Sequence, residues 1–260
     1  MNMLRPRIIV TLLISNGGIV KTTNFKNPKY IGDPVNLVKI FNEKEIDELF
    51  VVDIDATKTN AQPDYKLIER MAKESSMPFC FGGGISTPEQ AGKIISLGVE
   101  KIALSSAVIN NSHLLTSISQ KVGSQSVVAV IDVKLLDGVY KVWTNNGLKD
   151  TSKNLTDVVL EFSKENFGEL VVNSIDRDGT QNGYDLNLAA YVNSNIGVPV
   201  TTLGGCGNFE HMVEVVKKCG LIGVSAGSLF CFKGKFRAVL PNYVTSDERQ
   251  QIYNSLHVME

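Results

Sequence analysis

The sequence predicts a (βα)8, or TIM, barrel, and chain length, a series of buried strands and an internal repeat support it. The 260 residues are close to the length of one such barrel. Eight short apolar runs alternate with segments of helical periodicity, as expected for parallel strands that are covered on both faces. A doubly wound open sheet is the alternative, but eight well-separated units favour closure. The runs are 8–14, 49–52, 78–81, 101–104, 127–131, 170–172, 198–203 and 222–225.

The segments between these runs carry signals for helix starts and ends. Asp33 and Thr87 are each followed by a proline, which places a capping side chain before the first helical residue. Gln90 completes a capping box with Thr87. Gly98 and Gly220 lie where helix C-terminal caps are expected. The order of elements is therefore strand, then helix, repeated along the chain.

The two halves of the chain resemble each other. Residues 48–55 (ELFVVDID) match residues 169–176 (ELVVNSID), and the glycine pair 83–84 recurs at 204–205, both at an offset of 121 residues. Two matches at one offset predict a barrel that is built from two duplicated half-barrels.

We expect residues 1–260 to form a single domain, with one large departure from the repeat. Turn dipeptides at 137–138 and 146–147 flank a short strand-like run, which predicts a small hairpin insertion near 137–147 after the fifth strand. Trp143, inside this hairpin, is predicted either to line a substrate rim or to pack against the barrel.

Composition excludes several classes of function. The chain has 26 basic and 27 acidic residues, so it lacks the positive charge expected of a nucleic-acid-binding protein. No apolar stretch approaches the length of a membrane span, and the run at 8–14 is too short for a signal peptide. Four cysteines without a CxxC pair and three isolated histidines predict neither a metal site nor a disulfide framework. We expect a cytoplasmic protein without metal or cofactor.

Two sets of glycine and serine residues follow predicted strands and are related by the repeat. Glycine-rich strand ends bind phosphate through backbone N–H groups that no side chain blocks. The two sets therefore predict a ligand that carries two phosphates across the barrel mouth. The first set is 82–84 with 105–106, and the second is 178–180 with 204–205 and 227–228.

Asp132 is the predicted catalytic carboxylate, because it ends the apolar fifth strand at the mouth of the barrel. Laying the first strand beside the fifth places Leu13 at the position related to Asp132 by the repeat. One side of this pair is therefore apolar, and a mechanism that needs two opposed carboxylates cannot run unchanged.

These residues resemble one family over essentially the whole chain: HisF, the cyclase subunit of imidazole glycerol phosphate synthase. That resemblance implies a (βα)8 barrel, a glutaminase (HisH-like) subunit docked on its N-terminal face, and passage of ammonia through the barrel. The stretches that carry it are KTTNF at 21–25, GDP at 32–34, DEL at 47–49, FGGGI at 81–85, GSQ at 123–125, SIDRDGT at 174–180 and GYD at 183–185.

The resemblance also implies roles for individual residues. Asp132 matches one of the two catalytic aspartates of the family, whereas the other falls on Leu13. Ser105 replaces a usual asparagine on strand four, and Asn173 a usual threonine on strand six. The implied substrate lysine is Lys21. The implied phosphate ligands are Gly84, Ser105 and Ser106 at the first site, and Asp178, Gly179, Gly205, Gly227 and Ser228 at the second.

The family closes the bottom of its barrel with a ring of charged residues, which match Arg7, Glu48, Lys101 and Glu169 here. By themselves, two cations and two anions at strand starts allow two interpretations, a stabilising salt-bridge cluster or a gate for ammonia. The resemblance favours the gate.

A chain that keeps the gate and the phosphate sites but lacks one cyclase carboxylate looks like a HisF relative with another ammonia-dependent reaction. The stretches at 24–30, 41–44, 53–57 and 227–230 resemble HisF-like proteins that act with a glutaminase and a sugar amidotransferase. Those proteins help install acetamidino groups on bacterial surface sugars, in lipopolysaccharide biosynthesis. We therefore expect ammonia delivery for acetamidino-sugar formation, with a phosphorylated small molecule as ligand.

Three alternatives stay open. The first is an imidazole glycerol phosphate synthase cyclase in histidine biosynthesis, which would be feeble because loss of a catalytic carboxylate typically removes about 10²–10⁴ of the rate. The second is a non-catalytic scaffold that holds the glutaminase active. The third is a HisA-type phosphosugar isomerase. Leu13 argues against it as much as against the cyclase, because that reaction also needs the first-strand carboxylate.

Overall fold

A closed eight-stranded parallel barrel forms the centre of the computed structural model, which describes residues 4–256. Each barrel strand pairs in parallel with the next, and β8 pairs with β1 to complete the circle. The predicted (βα)8 fold is confirmed. The barrel strands are β1 (Ile8–Ser15), β2 (Glu48–Asp53), β3 (Phe79–Gly82), β4 (Lys101–Leu104), β5 (Val127–Leu136), β6 (Glu169–Ser174), β7 (Val200–Leu203) and β8 (Gly223–Ala226).

One main helix follows each strand and covers the outside of the barrel. The capping signals act as predicted: the Asp33 carboxylate accepts the N–H of Asn36 at 2.9 Å, and Thr87 and Gln90 form a capping box. Four shorter helical turns lie in the loops at Ala56–Thr59, Ser106–Asn110, Ser124–Ser126 and Ser228–Cys231. The main helices are α1 (Pro34–Glu43), α2 (Tyr65–Glu74), α3 (Pro88–Ser96), α4 (His113–Val122), α5 (Leu155–Phe162), α6 (Leu186–Asn195), α7 (Phe209–Cys219) and α8 (Ser246–Asn254).

Antiparallel strands extend the barrel at two places rather than at the one expected. After β5, Val139–Thr144 and Lys149–Asn154 form the hairpin, which reaches beyond the predicted end at 147. After β1, Gly18–Thr23 and Lys26–Gly32 form a second hairpin, at the repeat-related position, that the sequence analysis missed. Its outer strand is exposed over five consecutive residues, so it lacks the apolar alternation by which strands are recognised.

The interior of the barrel is a separate apolar cluster. Strand residues alternate between the lumen and the helix layer, so positions two apart on one strand face the same side. On β6, Glu169, Val171 and Asn173 therefore line the lumen from bottom to top. The lumen cluster consists of Ile9, Phe50, Cys80, Ala103, Val128, Val130, Val171 and Leu203, with Val52 packed against it.

Candidate active site and barrel lumen

A pocket opens at the C-terminal ends of the barrel strands. Its empty volume, counted out to the open mouth and including open solvent, is about 1040 Å³. Eight of the ten predicted catalytic and ligand-binding residues line it, on six different strands or their loops. They are Lys21, Gly84, Ser105, Ser106, Asp132, Asp178, Gly227 and Ser228.

Gly179 and Gly205 are not among the pocket-lining residues. A Cβ at Gly179 would collide with the carbonyl oxygen of Thr22, and one at Gly205 with that of Gly183. Both glycines also have positive φ angles, of 70° and 105°, a conformation that L side chains rarely adopt. In this structure they let two loops approach each other closely, and their part in phosphate binding stays a prediction.

Asp132 lies on β5 with both carboxylate oxygens hydrogen-bonded. The Asn173 amide donates to Oδ1 at 3.1 Å, and the Ser105 hydroxyl donates to Oδ2 at 3.4 Å. Burial raises the pKa of Asp132 to about 6, although the Asn173 hydrogen bond acts in the opposite direction. A carboxyl group with a pKa near neutrality suits a general acid or base.

The opposite wall of the pocket is apolar. Leu13 lies on β1, paired with Val52 on β2, and both line the pocket. Phe25, from the first hairpin, and Leu203, from β7, extend this surface. Asp132 therefore has no carboxylate partner on β1, and the other carboxylates of the pocket are Asp53 and Asp178.

Lys21 is the buried cation of the pocket. It extends from the first hairpin, and its ammonium donates to the carbonyl oxygen of Thr11. Burial lowers its pKa. Gly227 packs against the same ammonium group, so a Cβ at residue 227 would clash with it. This close packing holds the positive charge beside the second glycine set.

Asp178 joins the first hairpin to the loop after β6. Its carboxylate accepts a hydrogen bond from Thr22 at 3.2 Å, and its carbonyl oxygen accepts one from the N–H of Asn24 at 2.8 Å. Burial raises its pKa to about 6, partly offset by the charge of Lys21. The hairpin that the sequence analysis missed thus holds part of the site in place.

The four charged residues at the other end of the barrel form a closed ring. Arg7 contacts Glu48 at 2.5 Å and Glu169 at 2.7 Å, and Lys101 contacts Glu48 at 2.9 Å and Glu169 at 3.0 Å. Thr201 on β7 donates a further hydrogen bond to Glu169 at 2.7 Å. The ring has two cations, two anions and no net charge, and it covers the bottom of the apolar lumen.

The contacts within the ring favour the charged forms of Glu169 and Lys101. Burial alone would raise the pKa of Glu169, but its contacts with Arg7, Lys101 and Thr201 together outweigh burial and lower that pKa. Burial alone would lower the pKa of Lys101, which Glu169 and Glu48 together raise. The lumen entrance is therefore polar and occupied by side chains.

Asp53, Phe25 and Asn146 are among the pocket residues that escaped prediction as site residues. Asp53 ends β2 and caps the next turn through the N–H groups of Asp55 and Ala56. Its position at the end of a repeated strand is a signal that sequence reasoning had available. The two others come from hairpins, whose approach to the mouth only the tertiary structure reveals.

Comparison with known proteins identifies the family. The sequence profile described as "histidine biosynthesis protein" matches residues 7–237. A protein of Leptospira borgpetersenii that is provisionally named imidazole glycerol phosphate synthase subunit HisF is 47% identical over 253 residues, which are 96% of this chain and 100% of the relative. The chain belongs to the HisF family.

Other HisF relatives also match most of the chain. A Vibrio vulnificus protein with the provisional name imidazole glycerol phosphate synthase subunit hisF3 is 47% identical and aligns over 96% of both chains. The imidazole glycerol phosphate synthase subunit HisF of a Thermotoga species is 39% identical over 89% of this chain and 91% of its own. The resemblance found in the sequence motifs is confirmed at the level of the family.

Residues 4–256 contain neither a candidate metal site nor a candidate membrane-spanning helix. No cluster of three or more His, Cys, Asp or Glu side chains there is arranged to hold a metal ion. No helix in the same range is long and apolar enough to cross a membrane.

Proposed function

We propose that this HisF relative pairs with a HisH-like glutaminase at the N-terminal face of the barrel. In this proposal it conducts the glutaminase's ammonia through the lumen to the pocket. The ammonia then serves formation of an acetamidino sugar with the help of a sugar amidotransferase, rather than closure of an imidazole ring.

The observation that carries this proposal is the contrast between the two ends of the barrel. At the bottom, Arg7, Glu48, Lys101 and Glu169 form a complete ring of ion pairs. At the top, Leu13 presents an apolar side chain to the pocket that contains Asp132. A charged entrance thus leads to a pocket that contains the carboxylate Asp132 on β5 but has Leu13, without a carboxylate, on β1.

The lumen supports a route for a small neutral molecule. The residues between the ring and the pocket form a predominantly apolar cluster, which favours ammonia over ammonium because an isolated charge is costly to bury. Phe50, Ala103 and Val130 belong both to this cluster and to the pocket lining. The two spaces are therefore adjacent.

The pocket retains the features of an anion site, which supports a phosphorylated ligand. Lys21 supplies a buried positive charge, and Gly83 and Gly84 expose backbone with positive φ angles of 115° and 70°. Within this proposal Asp132, with its pKa of about 6, positions the ligand or exchanges a proton with it.

A cyclase of histidine biosynthesis is the second candidate, and the names of the relatives favour it. Four relatives at 46–47% identity and four at 37–39% are all named imidazole glycerol phosphate synthase subunits, the former group provisionally. In that case Asp132 performs the acid–base chemistry, alone or aided by a neighbouring residue.

A cyclase assay separates the two candidates. Purified protein is given the formimino-carboxamide ribotide precursor of imidazole glycerol phosphate and a high concentration of ammonium, beside a Leu13→Asp variant. We expect no turnover by the natural sequence and a gain in the variant. Turnover by the natural sequence at a rate near that of the variant would overturn the proposal and assign the chain to histidine biosynthesis.

A second assay tests conduction against the scaffold alternative. In the Leu13→Asp background, Val128→Phe narrows the lumen at a residue that does not line the pocket, and Leu160→Met on the exposed face of α5 is the control. We expect Val128→Phe to reduce product formation from glutamine, with the glutaminase present, but not from added ammonium. A pure scaffold would tolerate the narrowed lumen with both nitrogen sources.

A further inference from the structure

Exposed apolar side chains are concentrated around the mouth of the barrel. Among residues 4–256, eleven large hydrophobic residues are exposed, and eight of them lie in three segments that leave the C-terminal ends of β1, β5 and β8. We call these segments, residues 15–32, 134–148 and 227–240, the rim surface. Single exposed apolar residues are normal on a soluble protein, but their concentration at one end of the barrel marks an interaction site.

The three segments of the rim surface touch one another. Lys29, from the hairpin after β1, donates to the carbonyl oxygen of Arg237 at 3.3 Å, and its ammonium lies 5.0 Å from the ring centroid of Phe232. Gly147, from the hairpin after β5, packs so closely on Phe25 that a Cβ would lie 3.0 Å from its ring. Phe25 also lines the pocket. The rim surface is therefore continuous with the mouth.

A short hairpin after β8 carries the most exposed large apolar side chain of residues 4–256. Phe232–Lys233 pairs with Ala238–Val239, and Phe236 in the turn between them is 91% exposed. Lys233 and Lys235 are close to it in sequence and are also exposed. Water surrounds almost the whole phenyl ring, so a partner that covers it gains the hydrophobic free energy of its burial. Aromatic side chains of this kind are typical anchors of protein interfaces.

The rim surface is also strongly positive. It has eight basic residues and one acidic residue, although the whole chain has 26 basic and 27 acidic residues. None of the eight forms a salt bridge with a carboxylate among residues 4–256. Apart from Lys21, which is buried in the pocket, this charge is available to a partner. A partner that complements it is acidic.

We propose that the rim surface docks the enzyme that consumes the ammonia, here the sugar amidotransferase, through an acidic surface with apolar side chains. The inference rests on the proposed function, because only ammonia that emerges at the mouth has to be transferred there. Ammonia released into open solvent is diluted and protonated at neutral pH, and ammonium is not a nucleophile. A consumer that covers the mouth receives the free base before either happens.

Two other occupants fit the observations less well. A second copy of this chain would bring an equally positive rim surface, so the two surfaces would repel each other. A lipid bilayer on the rim surface would cover the mouth and close the pocket to a dissolved substrate. An acidic protein avoids both conflicts, because it carries the opposite charge and can present its own active site to the mouth.

Calorimetric titration tests the docking surface. The complex of this chain with its HisH-like glutaminase is titrated with the purified sugar amidotransferase of the same organism, with and without the rim changes Phe236→Ser and Lys235→Glu. The control, Leu160→Ser with Lys164→Glu, makes the same kinds of change at exposed positions on and just after α5. We expect the rim variant to bind at least tenfold more weakly, the control to bind like the natural sequence, and added salt to weaken binding. If the rim variant does not fold, Lys26→Glu on the exposed outer strand of the hairpin after β1 replaces it.

Failure of this inference is distinguishable from failure of the proposed function. No binding by the natural complex, or equal binding by the natural complex and the rim variant, would overturn the docking surface. Self-association in light scattering, or binding to phosphatidylglycerol vesicles, would also overturn it if the rim variant loses that property but keeps its affinity for the amidotransferase. The cyclase assay with Leu13→Asp contains no amidotransferase, so turnover by the natural sequence overturns the proposed function whatever the titration shows.

Discussion

Glu169 should be the residue of the charged ring on which stability depends most. It accepts two hydrogen bonds from Arg7, at 2.7 and 3.1 Å, one from Lys101 at 3.0 Å and one from Thr201 at 2.7 Å. Its side chain is 7% exposed, against 32% for that of Arg7. Glu169→Gln keeps the shape but removes the charge, and leaves two cations facing Glu48 alone.

The expected cost follows from this burial. Breaking a buried ion pair by removing one partner typically costs 3–5 kcal/mol, and the partial exposure of Arg7 places Glu169→Gln near the lower end, about 3 kcal/mol. In a chain of this size that is a fall in Tm on the order of 5–10 °C. The matched control is Glu69→Gln, which breaks the exposed pair with Lys73 and should cost less than about 1 kcal/mol.

The pH dependence of this difference follows from the direction of the pKa shift. Because the folded protein lowers the pKa of Glu169, its stabilisation is complete above the pKa of the unfolded chain and is lost as pH falls through the lower, folded value. Thermal unfolding of both proteins at neutral and acid pH measures it. A Glu169→Gln cost at neutral pH no larger than that of Glu69→Gln would refute the ring as a buried, stabilising network.

Three other predictions concern the pocket. The ¹³C resonance of the Asp132 carboxyl should titrate with a midpoint of about 6. Asn173→Leu should move this midpoint upward because the carboxylate loses a hydrogen-bond donor, and an unmoved midpoint would contradict the hydrogen bond. Since the folded state raises the pKa of Asp132, its contribution to the free energy of unfolding falls as pH rises from the pKa of the unfolded chain through about 6. Gly179→Ala should destabilise the protein by more than about 1 kcal/mol beyond Gly138→Ala, since both have positive φ but only Gly179 lies against a backbone carbonyl; equal unfolding midpoints would show that the loop contact does not matter. Lys21→Met should weaken binding of inorganic phosphate by about tenfold or more in calorimetry, with Lys73→Met as the exposed control; unchanged affinity would place the anion elsewhere.

The barrel itself was predictable because its signals are local. Continuous apolar runs identify buried parallel strands, and the offset of 121 residues between 48–55 and 169–176 identifies the duplication. The eight predicted runs overlap the eight barrel strands β1 to β8. The hairpin after β1 was missed for the same reason, since its exposed outer strand offers no apolar pattern.

The candidate site was predictable in part. Residues at strand ends, such as Asp132 and Ser105, converge by the geometry of a barrel, so their grouping follows from the strand assignments. Gly179 and Gly205 belong to the same motifs, yet in the structure their missing side chains make room for neighbouring loops. Glycine in a sequence does not tell whether a ligand or another loop needs the space.

The sequence by itself determined the fold, the family and the apolar residue Leu13 at the position that the repeat relates to Asp132, because each of these depends on residue type and spacing. Only the tertiary structure decided that four charged residues, of which the first and last are 162 positions apart, close into one ring. It also decided that Lys21 is buried against Gly227. The same holds for the Asn173 amide, whose nitrogen is hydrogen-bonded and whose oxygen is not. The physical reason is that hydrogen bonding and burial depend on the distance between atoms, which closure of the barrel sets and the order of residues does not record.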